Sequence, residues 1–181
     1  MDVPHSPLGT SRLSLLPITL EVVEAVLEDR RADVEALLDA RLPSAWPGRA
    51  LIERAFWVSL EHVRANPEVR LWGDRVMVTR EPPFKIVGSV VFHGAPDAEG
   101  AVEVAYGVEE ESQGRGYATE AVGASVAWAL SHPHVHVVRA ATPPWHVPSK
   151  RVLEKCGFRQ VGVREGDLLG EVLEFERRRG A

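Results

Sequence analysis

Gln113-Gly114-Arg115-Gly116-Tyr117-Ala118 follows an apolar, strand-like run from Val102 to Val108 and opens an amphipathic helix. Two glycines at a strand-to-helix turn let backbone N–H groups come close to a ligand. Behind them the helix N-terminus carries unpaired amides and the positive end of its dipole. Together these features make an anion site, suited to phosphate or pyrophosphate. A phosphate loop of the nucleotide-hydrolase kind needs G-x-x-x-x-G-K-[ST], and no Gly-Lys pair occurs in the chain. The dinucleotide fingerprint G-x-G-x-x-G fails at its third glycine, which is Thr119.

Working outward, Ala118, Ala121, Val122, Ser125, Val126, Ala129 and Leu130 give the helix a broad apolar or small face that His132-Pro133 ends. Val135 to Ala141 reads as a strand. Pro148 suits the first turn of another helix, with Val152, Leu153 and Cys156 inward and Gly157 as its stop. Residues 158–163 and 168–176 are two closing strands.

Upstream, residues 11–16 form a short strand ended by Pro17. Helices are expected from Thr19, from an N-cap at Asp33, and from Gly48 to Ala65, where Asn66-Pro67 stops the last. Trp72 with Val76-Met77-Val78, then Lys85 to His93, then Val102 to Val108 are strands. The alternation predicts an α/β or α+β fold with a mixed sheet, in one domain spanning residues 1–181, with no linker to divide it.

Composition narrows the function. With 45% hydrophobic and 26% charged residues over 181 positions, the chain is that of an ordinary globular protein with a substantial core. A net charge of −5 gives no overall basic field for nucleic acid and weakly favours cationic partners. Cys156 is the one cysteine, so no disulfide framework exists within the chain. The N-terminus lacks a basic segment followed by an apolar one, and no apolar run approaches the ~18 residues that span a bilayer. A cytoplasmic protein without membrane or nucleic-acid partners is expected; a homodimer is left open.

Gln113, Gly116 and Ala118 spell Q-x-x-G-x-A, which resembles the acetyl-CoA loop of the GCN5-related N-acetyltransferase (GNAT) superfamily. The longer run through Thr119-Glu120-Ala121 resembles the ribosomal-protein alanine N-acetyltransferase branch. Val102 to Val108 looks like the family's central strand, and Ser149 to Phe158 like its late helix ending in Lys-x-Gly-Phe. The resemblance implies a mixed, mostly antiparallel sheet splayed at its centre, with helices on both faces and pantetheine in the gap. It implies acetyl-CoA as co-substrate and no metal. Val108 would offer backbone groups to the pantetheine arm and an N–H to the developing oxyanion. The amides of Gly114, Arg115, Gly116, Tyr117 and Ala118 would hold pyrophosphate, with Gln113 and Thr119 in the same loop. The family's N-x-x-S becomes His146-Val147-Pro148-Ser149, which makes His146 and Ser149 cofactor contacts. The departing thiolate needs a donor, and in many relatives a tyrosine four residues before the Gly-Phe provides it. That position is Leu153, which leaves Ser149 as the candidate acid.

Attack on a thioester needs an uncharged amine. An α-amino group, with pKa ~8, supplies one at neutral pH far more readily than a lysine at ~10.4. Glu103 is the candidate base, on a strand face with Ala105 and Gly107, opposite Val104 and Tyr106. It also lines the candidate acceptor groove, for which Trp46 and Trp72 are the other residues named. Otherwise Trp46, Trp57, Trp72 and Trp145 read as core. Glu109-Glu110-Glu111 reads as an exposed acidic loop, Cys156 as a buried thiol, and His132-x-His134-x-His136 as a capped helix end rather than a metal site. The function expected is direct acetyl transfer to a primary amine, with a protein N-terminus as first choice of acceptor. The alternatives are a small amine (polyamine, amino acid analogue or antibiotic) and a non-catalytic CoA-binding sensor.

Overall fold

A computed structural model of the chain describes residues 6–44, 60–166 and 170–180. Its elements run β1 (Leu8–Gly9), β2 (Leu13–Pro17), α1 (Leu20–Leu27), α2 (Arg31–Leu38), α3 (Leu60–Ala65), α4 (Pro67–Arg70), β3 (Arg75–Thr79), β4 (Ile86–Phe92) and β5 (Ala101–Val108). A 3₁₀ turn (Glu110–Ser112), α5 (Tyr117–Ser131), β6 (Val137–Thr142), α6 (Val147–Lys155), β7 (Arg159–Gly166) and β8 (Gly170–Arg178) follow.

The strands form one sheet of eight in the order β1-β2-β3-β4-β5-β6-β8-β7. Every neighbouring pair is antiparallel except β5 and β6. β4 is buried at every position, as a strand covered on both faces must be. Its alternation sorts the core: Val90 and Phe92 pack with Met77, Val102, Val104 and the small-residue face of α5. On the other face, Val91 packs with Val76, Val78 and the helices α1 and α2.

Local signals explain most of the boundaries. The Thr19 hydroxyl accepts from the Val22 amide and starts α1. Asp33 does not cap α2; the helix begins two residues earlier, and Asp33 sits in its first turn, ion-paired with Arg30. Asn66-Pro67 ends α3 as expected, but Pro67 then opens the short α4 that the sequence pattern did not signal. Of the third expected helix, only Leu60–Ala65 falls within the described residues; Trp46 and Trp57 lie outside them.

Trp72 is not a strand residue and does not line a groove. It is 6% exposed, edge-on to Phe92 at 5.3 Å and 4.8 Å from the Trp128 ring. The fully buried Arg75 lies over Trp128 at 4.1 Å and donates to the Gly73 carbonyl. An apolar ring with that much area is worth more in this cluster than in a solvated groove.

At the centre of the sheet, β4 and β5 approach so closely that a Cβ at Gly88 would lie 2.2 Å from the Gly107 carbonyl oxygen. The obstacle is backbone and has nowhere to turn. Gly88→Ala should therefore destabilise the fold by about 1–3 kcal/mol. Urea unfolding would show a lower midpoint with an unchanged slope.

Candidate functional site

The parallel pairing of β5 with β6 covers only Ala101 with Val137, Val102 with Val138, and Glu103 with Arg139. Beyond that point β5 runs on to Val108 beside β4, while β6 runs on to Thr142 beside β8. The two strands part like the arms of a V with Glu103 and Arg139 at its apex. A cavity opens on each face of the sheet.

The larger, of about 600 Å³, lies on the α5 side. The glycine loop, the end of β5 and the start of α6 line it. Val108, Gln113, Gly114, Gly116, Tyr117, Ala118, Thr119, His146 and Ser149 all border it, whereas Arg115 does not. Gly116 is the N-cap of α5 at φ 81°, and Gly114 stands at φ 73° with open space where a side chain would be. The first turn of α5 thus presents backbone amides to a roomy cavity, the geometry an anionic group fits. Arg151 and Lys155 on α6, four residues apart and so on one helix face, add two cations to the wall. That i, i+4 spacing of Arg151 and Lys155 is a signal the sequence itself carries.

Several of these residues have structural partners. The Gln113 side chain donates to the Val108 carbonyl at 3.0 Å, tying the loop to the end of β5. The Arg115 carbonyl accepts from Arg12 Nη1 at 2.9 Å. Arg12 also pairs with Glu120 (Nη2 to Oε2 2.8 Å) and covers the Tyr117 ring at 4.8 Å. Glu120 Oε1 accepts from the Thr10 hydroxyl at 2.6 Å and from the Arg12 amide at 2.7 Å. Partial burial pushes the Glu120 carboxyl up, but the hydrogen bonds from Thr10 and Arg12 outweigh it and leave the pKa below its usual value.

On α6, Ser149 does not cap the helix with its hydroxyl. Ser149 Oγ lies 2.9 Å from the Tyr106 hydroxyl, which also reaches the Ser149 carbonyl at 3.1 Å. Burial pushes the Tyr106 phenol up to about 12, although its hydrogen bond to Ser149 opposes the shift. The phenol therefore stays protonated at any physiological pH. Leu153 is fully buried in the core. Its side chain makes that position a packing site, while Tyr106 on β5 and Ser149 on α6 both border the cavity. Cys156 is buried, its Sγ 3.4 Å from the Thr119 carbonyl, and burial raises its thiol pKa.

The second cavity, of about 430 Å³, lies at the apex on the opposite face. Glu103 borders it with Arg139, Ala141, Arg164, Glu174 and Glu176. Arg164 Nη2 and His93 Nδ1 stand 4.0 and 3.7 Å from Glu103 Oε1. Arg164 also pairs with Glu174 at 3.1 Å, and Arg139 with Glu176 at 3.2 Å. Glu103 is thus a partly exposed carboxylate with the Arg164 guanidinium and the His93 ring within 4.0 Å.

Three expectations are corrected here. Glu109 is only 5% exposed, with one carboxylate oxygen unpartnered, and burial together with Glu111 pushes its pKa up to about 7 against the pull of Arg31. The acidic loop begins after it. Trp145 is not core but 69% exposed, edge-on to His146 at the cavity rim. Arg115, expected in the cofactor loop's contact set, turns its carbonyl to Arg12 and leaves the cavity wall to its neighbours. His132 caps the end of α5, its Nδ1 3.0 Å from the Trp128 carbonyl. Among the described residues no three His, Cys, Asp or Glu side chains are grouped to hold a metal ion.

Comparison with known proteins agrees with this geometry. The model of the family described as "Acetyltransferase (GNAT) domain" matches residues 12–159. The chain is similar to YjdG of Bacillus subtilis (strain 168), described as an uncharacterized N-acetyltransferase. They are 28% identical over 83% of this chain and 88% of that one. Among solved structures, a ribosomal-protein-S5-alanine acetyltransferase from Vibrio fischeri superposes with a TM-score of 0.67 at 18% identity over 97% of each chain. Mycobacterium smegmatis RimJ in complex with CoA-disulfide gives 0.63 at 22% identity, over 96% of this chain and 88% of that one.

Glu120, whose pKa is depressed, stabilises the fold above the ordinary carboxyl pKa, and that stability is lost as pH falls through its lower folded value. Thermal melts of wild type and Glu120→Gln should differ at pH 7, and the difference should shrink as pH falls below the ordinary carboxyl pKa.

Proposed function

The chain belongs to the acetyltransferase (GNAT) family, and we propose that it is an acetyl-CoA-dependent N-acetyltransferase whose acceptor is the α-amine of a protein N-terminus. One observation carries the reading. Where β5 parts from β6 beyond Glu103 and Arg139, an amide-lined cavity lies on one face of the sheet and a carboxylate-bearing one on the other.

Acetyl-CoA, when bound, supplies an activated thioester. The amides of Gly116 to Thr119, with Arg151 and Lys155, hold its pyrophosphate. Glu103 takes the proton of the incoming ammonium, directly or through a water, so that the amine attacks in its neutral form. Ser149 gives a hydrogen bond to the departing sulfur. Tyr106 orients that bond: its single proton goes either to the Ser149 carbonyl or to Ser149 Oγ. In the second arrangement the serine proton is free to point into the cavity.

An α-amine is the easier nucleophile near neutral pH, and the similarity to an S5-alanine acetyltransferase agrees with a protein acceptor. A small amine is the second reading: Glu103, Glu174 and Glu176 border one cavity, where Arg139 and Arg164 offset part of their charge.

Thiol release from acetyl-CoA, followed over a panel of short peptides, polyamines and aminoglycosides, tests both. Acetylation of peptides at their first residue, with little at internal lysines, is expected. Turnover of the small amines with none on peptides would overturn the protein acceptor. Glu103→Gln should lower kcat/KM by about 10²-fold or more with CoA affinity nearly unchanged. Tyr106→Phe and Ser149→Ala should each lower kcat and, because they act on one proton path, lose little more in combination. Wild-type rates for Glu103→Gln across the pH range would remove it from the mechanism.

A further inference from the structure

We propose that Arg12, on the far edge of the sheet, is a positioning residue for the anion cradle: it sets the peptide between Arg115 and Gly116 so that the Gly116 amide faces the cofactor's pyrophosphate. This rests on the acetyltransferase reading above and goes beyond it.

The geometry is specific to one side chain. The Arg12 guanidinium reaches two separate parts of the loop–helix junction at once. Nε and Nη2 each stand 2.8 Å from Glu120 Oε2, one turn into α5, while Nη1 donates to the Arg115 carbonyl at 2.9 Å. In a trans peptide the C=O and the following N–H point in opposite directions. Fixing the Arg115 carbonyl on Arg12 therefore turns the Gly116 N–H away from Arg12. The guanidinium also packs against the glycine itself: a Cβ on Gly116 would meet Nη2 at 3.4 Å.

The anchor behind Arg12 is firm. Its own carbonyl accepts from the Arg80 amide at 3.0 Å, Arg80 Nη1 donates to the Thr10 carbonyl at 2.6 Å, and the Thr10 hydroxyl returns to Glu120. The turn between β1 and β2 is thus tied both to the end of β3 and to the start of α5. Glu120 neutralises the Arg12 charge, so the contribution to binding is orientation rather than attraction. Lysine does not substitute. Its ammonium is a compact point charge on a flexible stem, able to keep the Glu120 pair but without the planar fork that spans Glu120 and the Arg115 carbonyl together.

Affinities for CoA and for pantetheine, which lacks the pyrophosphate, distinguish orientation from general loosening. They would be measured by calorimetry in wild type, Arg12→Ala and Arg12→Lys, with thermal melts alongside. Arg12→Ala should bind CoA about tenfold more weakly, equivalent to ~1.4 kcal/mol. Its pantetheine affinity should not change, and KM for acetyl-CoA should rise while kcat at saturation stays within a few-fold. Arg12→Lys should recover the melting temperature but not the CoA affinity, and it serves alone if the alanine variant does not fold. Equal losses for CoA and pantetheine, or undiminished CoA affinity in a folded variant, would overturn the assignment to Arg12. Wild-type protein that bound no CoA would instead overturn the acetyltransferase reading on which it stands.

Discussion

Everything at the site follows from where β5 and β6 stop pairing. Buried backbone N–H and C=O groups need partners, so a sheet cannot simply open at its middle. Here each arm of the opening keeps a full ladder on its outer side. β5 stays paired with β4 from Val104 to Val108, and β6 with β8 out to Thr142. The inner edges of the two arms are then free to face a ligand rather than each other. Strand alternation does the rest, because successive side chains of β5 point to opposite faces. Glu103 looks into one cavity and Tyr106 into the other, so a single strand lines both.

The glycine loop is positioned by the parts of it that do not face the cavity. Its carbonyl and side-chain groups are taken up behind it: Gln113 by the Val108 carbonyl, Arg115 by Arg12, Glu120 by Thr10 and Arg12. With those partners occupied, the amides are what remain to bind an anion, and they cost little reorganisation when they do. A turn held this way depends on a residue from another part of the sheet, more than a hundred positions earlier in the chain.

The fold was legible because its elements carry strong local signals: the Thr19 cap, the Pro17 and His132-Pro133 breaks, and the small-residue face of α5 between β5 and β6. The glycine loop and the helix start behind it were legible for the same reason, since glycine spacing and a helix start are sequential features. What escaped were contacts made across the sheet. Trp72 reads as a free aromatic until its partners Phe92 and Trp128, far along the chain, are brought beside it. Glu109 reads as one of three like acids, and only the turn at the end of β5 buries it while leaving its neighbours out. Arg12 and Glu120 give no sequence signal at all, because their separation has no periodicity.

Two positions, Leu153 and Tyr106, show how burial decides which side chain reaches the cavity. Position 153 lies on the buried face of α6, at zero exposure against the core that also takes Cys156 and Phe158. A phenol there would have to reach past the helix to the cavity, whereas leucine fills the space. Tyr106 approaches the same cavity from the strand below, meets α6 at Ser149 and is held protonated by burial. A hydroxyl pair built from two elements fixes its own geometry, since each oxygen orients the other. The pair also ties the arm of β5 to α6, and so helps to hold the wall of the cavity in place.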